Sequence, residues 1–198
     1  RYECRHGLGY TRISGSCEGI DTSLLYTIPL DAPYEVWQVR MTNTTDRART
    51  LRLFSYVEWS WYDAFYDILC DWPRMILQCR CEGNTILFDP VSEQCESGLL
   101  RSYLATDLPV DGYDCSLSAF IGPYRSEANP LAVERGTCTN SEARSDNAVG
   151  VLSSQIVLQP GETRVFHYAL GTANTPQERA TCLRRALDPD RLERDLQA

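Results

Sequence analysis

The sequence predicts an all-β protein: a large antiparallel β-sandwich over residues 1–171, followed by helical segments over residues 172–198. Three observations carry this prediction. Apolar residues recur with a period close to two through most of the chain, no long helical stripe occurs before residue 174, and pairs of alternating runs flank short polar segments. This combination is typical of an antiparallel sandwich.

The first predicted hairpin joins Glu35–Thr42 to Thr50–Glu58 through the polar segment Asn43–Arg47. Apolar and polar residues alternate in both runs, so each strand has one apolar face. Two such runs around a short polar loop predict strands that pair with each other.

A second hairpin is predicted from Val149–Leu158 and Thr163–Leu170, which flank the turn Pro160–Glu162. A turn is also predicted at Gly15 and Ser16. Further strands are predicted at Tyr10–Ser14, Ile20–Leu30, Thr85–Phe88 and Leu99–Ala105. Loops are predicted at Leu108–Gly112, Gly122–Pro130 and Gly136–Asn147.

The C-terminal residues change to a helical pattern. Thr175 fits an N-cap, Pro176 a first-turn proline and Glu178 the acidic member of a capping box. A helix is therefore predicted to run to about Leu187, and a second helical segment to follow Pro189. An amphipathic helix at the end of a β domain is typical of a linker to another domain.

The charge and hydropathy of the chain exclude several partners. The net charge of −8 argues against nucleic acid, which is bound by basic surfaces. No apolar run is long enough to cross a membrane. All 19 basic residues are arginine, so neither a Schiff-base lysine nor a phosphate-loop lysine is present. We expect no nucleic-acid or membrane partner.

The 9 cysteines form neither a disulfide framework nor a zinc pattern. Their number is odd and their spacing irregular, and Cys79 and Cys81 would share one face of a strand at a separation that is hard to bridge. His6 and His167 are the only histidines. The sequence therefore predicts buried free thiols in a reducing cytoplasm, with no metal site.

The richest candidate for function is the stretch Phe54–Arg74, which contains all but one of the four tryptophans together with Glu58, Asp63, Asp67 and Asp71. Aromatic faces beside carboxylates and an arginine suit a sugar, because C–H faces stack on rings and hydroxyls need donors and acceptors. A strand that enters the core with its aromatic residues explains the same composition, and is the commoner arrangement.

Other candidates for chemistry have ordinary explanations as well. His6 precedes a glycine-rich turn, where it fits an anion site or a base, although turn capping is the commoner role. Asp63 and Asp67 fit either the paired carboxylates of a glycosidase or solvated loop acids. Nucleophile elbows and phosphate loops are absent. From its pattern alone, the sequence indicates a possible carbohydrate surface and no catalytic centre.

Six segments together resemble the N-terminal β-sandwich domain of the phosphorylases of glycoside hydrolase family 94, which act on cellobiose, cellodextrins or chitobiose. They occur in the order found in the family. The segments are Glu3–Ile13, Pro33–Asn43, Arg49–Trp59, Ser118–Arg125, Asn129–Ser141 and Leu158–Glu162. The resemblance implies a supersandwich of the galactose mutarotase type, truncated before Arg1, and linker helices that lead to a catalytic (α/α)6 barrel beyond this chain.

The resemblance also implies an activity. Members bring inorganic phosphate onto the anomeric carbon of a β-linked gluco-disaccharide or oligosaccharide, reversibly and with inversion, to give a sugar 1-phosphate. An aspartic acid of the barrel protonates the leaving oxygen, and phosphate is the co-substrate, so no other cofactor is implied. No catalytic residue is expected in this chain. Family members are typically homodimers.

One loop of the sandwich domain reaches the sugar site in this family. It follows the Val-Glu-Trp strand and carries an Asn-Phe-Gln-Arg run, which matches Asp71-Trp72-Pro73-Arg74. The resemblance therefore implies substrate binding by Asp71, Trp72 and Arg74, with Pro73 in place of glutamine. The alternative is a stand-alone module that binds carbohydrate or dimerises without catalysis.

Overall fold

The computed structural model describes residues 2–59, 77–90, 101–144, 146–188, 190, 191 and 194. Its strands are β1 (Tyr2–Gly7), β2 (Tyr10–Cys17), β3 (Ile20–Thr27), β4 (Tyr34–Asn43), β5 (Arg49–Phe54), β6 (Val57–Glu58), β7 (Leu77–Glu82), β8 (Thr85–Pro90), β9 (Arg101–Thr106), β10 (Gly112–Ser116), β11 (Ala143–Arg144), β12 (Ala148–Leu158) and β13 (Thr163–Ala173). Its helices are α1 (Leu117–Ile121), α2 (Leu131–Arg135) and α3 (Pro176–Ala186). Every pairing of these strands with a described register is antiparallel, which confirms the predicted all-β class.

The chain folds as two compact units. Unit 1 comprises residues 1–51, 104–108 and 155–198, and unit 2 comprises residues 52–103 and 109–154. Strands β5, β9 and β12 contribute residues to both units.

In unit 1 the strands follow the order β1-β2-β3-β4-β13. Glu18 and Gly19 make the tight turn between β2 and β3, with positive φ angles of 48° and 78°. Leu25, Val36 and Ala169 are buried in this sheet, and helix α3 packs on β13 and β4.

In unit 2 the strand orders are β9-β8-β7-β11 and β10-β12-β5, and β6 also pairs with β12. The helices α1 and α2 add apolar side chains to a core with β12. Its members are Phe120, Ile121, Ala132, Cys138, Val149 and Val151, against which Phe54, Tyr56 and Leu117 pack.

Neither of the two predicted hairpins forms. Strand β4 pairs with β3 and β13, whereas β5 pairs with β12, and β12 and β13 belong to different sheets. The predicted strands all form, but their partners are wrong, and the alternation is clear only in β5, since β12 and β13 are buried over several consecutive residues. Because both edges of β4 are occupied by other strands, the polar segment after β4 has to lead the chain into another sheet.

The buried residue Asn43 connects the loop after β4 to the loop after β12. These are the two segments that were predicted to be hairpin turns. The side-chain amide of Asn43 donates to the carbonyl oxygens of Arg47 at 2.7 Å, Leu158 at 3.1 Å and Gln159 at 3.1 Å. Its backbone N–H donates to Glu162 O at 3.0 Å. The loop after β4 and the loop after β12 are therefore fixed to each other through one asparagine.

Smaller differences from the prediction also have physical reasons. Gly15 and Ser16 do not form a turn but continue β2, opposite Thr22 and Asp21. Strand β1 is absent from the prediction, because this edge strand is exposed along its whole length and shows no apolar alternation. Also absent are α1 and α2, which have five residues each and are too short to produce a helical stripe.

The predicted N-cap and first-turn proline of α3 are confirmed, whereas Glu178 binds the residue before the N-cap instead of closing a capping box on Thr175. Thr175 Oγ1 accepts from Glu178 N at 3.1 Å, Glu178 Oε2 accepts from Asn174 N at 2.8 Å, and Pro176 occupies the first turn. The helix ends at Ala186 with Leu187 as its C-cap, which agrees with the predicted end at about Leu187. Pro189 lies outside the described residues, and the boundary between sandwich and linker after residue 171 stays a prediction. None of the described helices has the length and hydropathy needed to cross a membrane.

Candidate functional site

The described part of the chain reaches the candidate sugar loop only at its start. The residues predicted to contact or act on a sugar lie outside it: Asp63, Asp67, Asp71, Trp72 and Arg74. Their roles stay predictions. The structure does describe Phe54–Trp59, the segment that leads into this loop, and the side chains in unit 2 that hold it.

The segment before the loop is tied to β12 by both backbone and side chain. Ser55 N donates to Leu152 O at 3.0 Å, and the buried Ser55 Oγ accepts from Leu152 N at 2.8 Å. The short strand β6 then pairs with Val149 and Gly150. The candidate loop therefore follows a segment that is fixed against the middle strand of a sheet.

The aromatic residues of the segment face the core of unit 2. The Tyr56 ring stacks on Phe120 with centroids 5.4 Å apart, and Phe54 lies 6.3 Å from the same ring. Trp59 stacks on Phe88 at 5.0 Å, with the two rings 5° from parallel. For this part of the aromatic stretch, the core interpretation is correct, because its rings contact other rings of the core.

Tyr56 also carries a polar contact at the edge of this core, since its hydroxyl donates to the Glu58 carboxylate. Burial, and then this hydrogen bond, raise the pKa of Tyr56 above its ordinary value. The phenol is therefore neutral at physiological pH and serves as a donor that orients Glu58.

Gly150 makes room for Trp59 next to β6. A Cβ atom at this position would lie 2.6 Å from Trp59 Cη2 and 2.7 Å from Val57 Cγ1. Both distances are shorter than real Cβ contacts, and both neighbours are held by packing. Only glycine fits between β6 and the indole ring without displacing one of them.

We expect Gly150→Ala to destabilise the protein by about 1–3 kcal/mol and to change tryptophan fluorescence, because overpacking forces Trp59 off Phe88. Urea unfolding followed by fluorescence measures both effects. Gly112→Ala is the matched control, since a Cβ there meets Cys138 Cβ at an ordinary 3.4 Å. Equal stability of the two variants would contradict this account of Gly150.

A buried carboxylate lies at the end of β8. Asp89 is 3% exposed, and Arg80 Nη1 donates to it at 2.9 Å, while Arg101 Nη1 lies 3.4 Å from its other oxygen. Arg80 also donates to Glu82 at 3.0 Å. This cluster has no signal in the sequence, because its members become neighbours only when β7, β8 and β9 are paired.

A second buried carboxylate organises the segment Asn129–Ser141, which carried part of the family resemblance. Asp114 is fully buried, and its Oδ1 accepts from Thr139 Oγ1 at 2.6 Å, Thr139 N at 3.1 Å, Ser141 Oγ at 2.8 Å and Ser141 N at 3.2 Å. Through these contacts with Asp114, Thr139 and Ser141 have a structural role in unit 2.

The loop between α1 and α2 is also held by its own side chains. Arg125 donates to the Glu134 carboxylate and to Asn129 O. The Arg125 guanidinium lowers the pKa of Glu134. Tyr124, by contrast, is fully exposed at a positive φ of 59°. The two resembling segments around this loop are therefore joined by an ion pair.

The described cysteines are free thiols, as predicted, but Cys4 and Cys17 are exposed rather than buried, because they lie on the exposed strand β1 and at the exposed end of β2. Cys79 and Cys81 lie in β7, where burial raises the pKa of both and brings that of Cys81 to about 12. Both thiols are therefore protonated and poor nucleophiles at physiological pH. Among the described residues, no group of His, Cys, Asp and Glu side chains is arranged to hold a metal ion.

The two histidines contact polar residues of unit 1. The exposed His6 lies in β1, and its Nδ1 is 3.0 Å from Thr11 Oγ1 on β2, so it bridges the strands around the glycine-rich turn. His167 Nδ1 is 2.7 Å from Asp107 Oδ2, and Asp107 Oδ1 accepts from His167 N at 2.8 Å. The contact between His167 and Asp107 fixes residues 104–108 to β13. It could not be predicted from the sequence, because the two residues are 60 positions apart.

The comparison with protein families agrees with this geometry. The family described as "Glycosyl hydrolase 94, supersandwich domain" matches residues 1–189. The chain belongs to this family. Its resemblance to the sandwich domain of family 94 is thereby confirmed, as is the supersandwich fold class.

Two curated relatives place the domain within longer proteins. A solabiose phosphorylase of Paenibacillus borealis is 30% identical over 203 residues, covering 98% of this chain and 25% of that protein. An N,N'-diacetylchitobiose phosphorylase of Vibrio furnissii is 36% identical over 174 residues, covering 86% of this chain and 21% of that protein. This family 94 chain thus spans a quarter or less of the length of these relatives.

One solved structure supports the fold. A polysaccharide lyase matches with a TM-score of 0.52 at 12% identity, covering 87% of this chain and 23% of that structure. At this identity the likeness concerns the fold alone, so the function of the family 94 domain is argued from its phosphorylase relatives.

Proposed function

We propose that this chain is the N-terminal sandwich domain of a glycoside phosphorylase. The whole enzyme would transfer a glycosyl group of a β-linked gluco-disaccharide or oligosaccharide to inorganic phosphate, reversibly and with inversion, giving a sugar 1-phosphate. The observation that carries this proposal is the 30% identity to solabiose phosphorylase over 98% of the chain. No catalytic residue and no cofactor other than the co-substrate phosphate are assigned to this domain.

In the proposed enzyme, the sandwich positions a loop and another domain performs the chemistry. Ser55 and Gly150 fix the segment before the loop, and the Trp59–Phe88 stack holds its last described residue. In this proposal, the loop that follows the fixed segment carries Trp72 and Arg74 to the sugar. The general acid would come from a helical barrel of the same polypeptide.

Further properties of the proposed enzyme follow its family resemblance. We propose a homodimer in the cytoplasm, where the exposed Cys4 and Cys17 would remain reduced. The alternative function is a stand-alone module that binds carbohydrate or dimerises. Size-exclusion chromatography with light scattering tests the dimer, and a phosphorolysis assay distinguishes the enzyme from the module.

The direct test is an assay of the longer protein that contains this chain. Incubation with phosphate and β-linked disaccharides such as cellobiose, chitobiose or solabiose should release a sugar 1-phosphate of α configuration, which proton NMR detects. The reaction should require phosphate. A longer protein that releases no sugar phosphate from any β-linked disaccharide, while binding glycans, would support the module instead.

Arg74→Ala in the longer protein is expected to lower kcat/KM by about ten- to a hundredfold, with nearly unchanged Tm. A guanidinium holds sugar hydroxyls by charge-assisted hydrogen bonds, each of which contributes about 1.5–3 kcal/mol in a closed site. Initial rates of phosphorolysis at several disaccharide concentrations measure the effect.

The competing role for Arg74 is an ion pair with Asp71 or Asp67 that only orders the loop. Asp67→Asn is the control, because it breaks such a pair and leaves the arginine available to substrate. Normal kinetics in Arg74→Ala, or a loss of activity that follows a loss of folding, would remove Arg74 from the sugar site.

A further inference from the structure

A groove of about 370 Å³ lies on the unit 1 sheet. Strands β2, β3 and β4 provide most of its lining. Its polar lining includes the side chains of Ser14, Ser16, Asp21, Ser23, Arg40 and Thr42. We call it the serine groove. The proposed phosphorylase function makes no use of it.

The strand register arranges these residues in two rows across the three strands. The first row is Ser14, Ser23 and Arg40, and the second is Ser16, Asp21 and Thr42. Members of a row lie opposite each other on neighbouring strands, about 4.8 Å apart, and the rows are two residues apart along each strand. All six side chains therefore point to one face of the sheet.

The hydroxyl groups of the groove are partly engaged with each other. Ser14 Oγ donates to Ser23 Oγ at 3.3 Å, and Thr42 Oγ1 lies 2.8 Å from Thr163 Oγ1. Each hydroxyl keeps further capacity to donate or accept, since it has one hydrogen and two lone pairs. In the part of the chain that the structure describes, no hydrogen bond or ion pair engages the side chains of Arg40 and Asp21.

The charges around the groove restrict the class of ligand. The carboxylates of Asp21 and Glu3 would repel a phosphate or carboxylate ligand. The guanidinium of Arg40 would repel a metal cation. A neutral ligand that offers donors and acceptors together satisfies the guanidinium, the carboxylate and the hydroxyls at once. We propose that the serine groove binds a neutral oligosaccharide.

The binding is expected to be weak, because the groove is open and its six polar side chains provide no aromatic ring for stacking. A Kd of about 1 mM corresponds to the binding free energy that a few hydrogen bonds provide after the free-energy cost of association is subtracted. Saturation-transfer NMR suits this range. The experiment titrates cellotetraose and chitotetraose into the 198-residue chain.

Two variants test the groove. Arg40→Ala should raise Kd about five- to tenfold, and the double variant Ser14→Val, Ser23→Val about fivefold, because each removes donors to the glycan while valine keeps the strand. Arg164→Ala is the matched control. Arg164 lies opposite Met41, the neighbour of Arg40, and therefore on the other face of the sheet. Its variant should bind like the unaltered chain, and thermal melts should confirm that all variants fold.

Three results would overturn the proposal. The first is no saturation transfer to either tetrasaccharide at about 50-fold the expected Kd. The second is unchanged affinity in folded Arg40→Ala and in the folded serine double variant. The third is binding of glucose 1-phosphate at least about tenfold tighter than the neutral glycans, with strong salt dependence, which indicates an anion site. None of these results bears on phosphorolysis, which is measured on the longer protein.

Discussion

The 198-residue chain, assayed alone, is expected to release no sugar 1-phosphate from any β-linked disaccharide. The proposed reaction needs a general acid to protonate the leaving oxygen, and family resemblance assigns that acid to a barrel outside these residues. Removal of a general acid alone typically costs about 10²–10⁴-fold in rate. In the isolated chain the rest of the catalytic cleft would be missing as well.

The measurement is sugar phosphate release over several hours at high protein concentration, with the longer protein as the positive control in the same buffer. Addition of the isolated barrel domain is a second control, because partial recovery of activity would show that the two parts associate. Turnover by the 198-residue chain alone would disprove the proposed division of labour between sandwich and barrel, and would place a catalytic acid within these residues.

Many strand positions could be predicted from the sequence, although β1, β7, β10 and β11 could not, and strand partners could not be predicted. The alternation in β5 records which side of that strand is buried, and this depends only on neighbouring residues. The choice of partner depends on which edges are already occupied. Because β3 and β13 occupy both edges of β4, no pattern between residues 34 and 58 reveals that β5 pairs with β12.

The candidate site was predictable to a smaller extent. The aromatic stretch was identified from composition, and for Tyr56 and Trp59 the structure shows contacts with core rings. The polar contacts that organise the units have no local signal. Asp114 bonds to residues 25 and 27 positions away, and Asp107 to one 60 positions away. Such pairs become visible only when the strands that carry them are assembled.

Asn43→Ala is expected to destabilise the protein by about 2–4 kcal/mol, because it leaves buried polar groups of two loops without hydrogen-bond partners. The amide that donates to Leu158 O and Gln159 O is lost, and so is Asn43 Oδ1, which accepts from Thr45 N at 3.0 Å and from Thr45 Oγ1 at 2.7 Å. Alanine offers neither donor nor acceptor. Urea unfolding followed by circular dichroism measures the change.

Two further variants separate hydrogen bonding from mere loss of a side chain. Asn43→Asp keeps the size and the acceptor for Thr45 but sets a carboxylate against the carbonyls of Leu158 and Gln159, so it should destabilise at least as much as alanine. Asn174→Ala removes an exposed asparagine and should stay within about 0.5 kcal/mol of the unaltered chain. If Asn43→Ala also stays within that range, the two loops are fixed by their backbone hydrogen bonds alone, through Asn43 N to Glu162 O and Gly161 N to Asn43 O. The Asn43 side chain would then contribute nothing to the contact between the loop after β4 and the loop after β12.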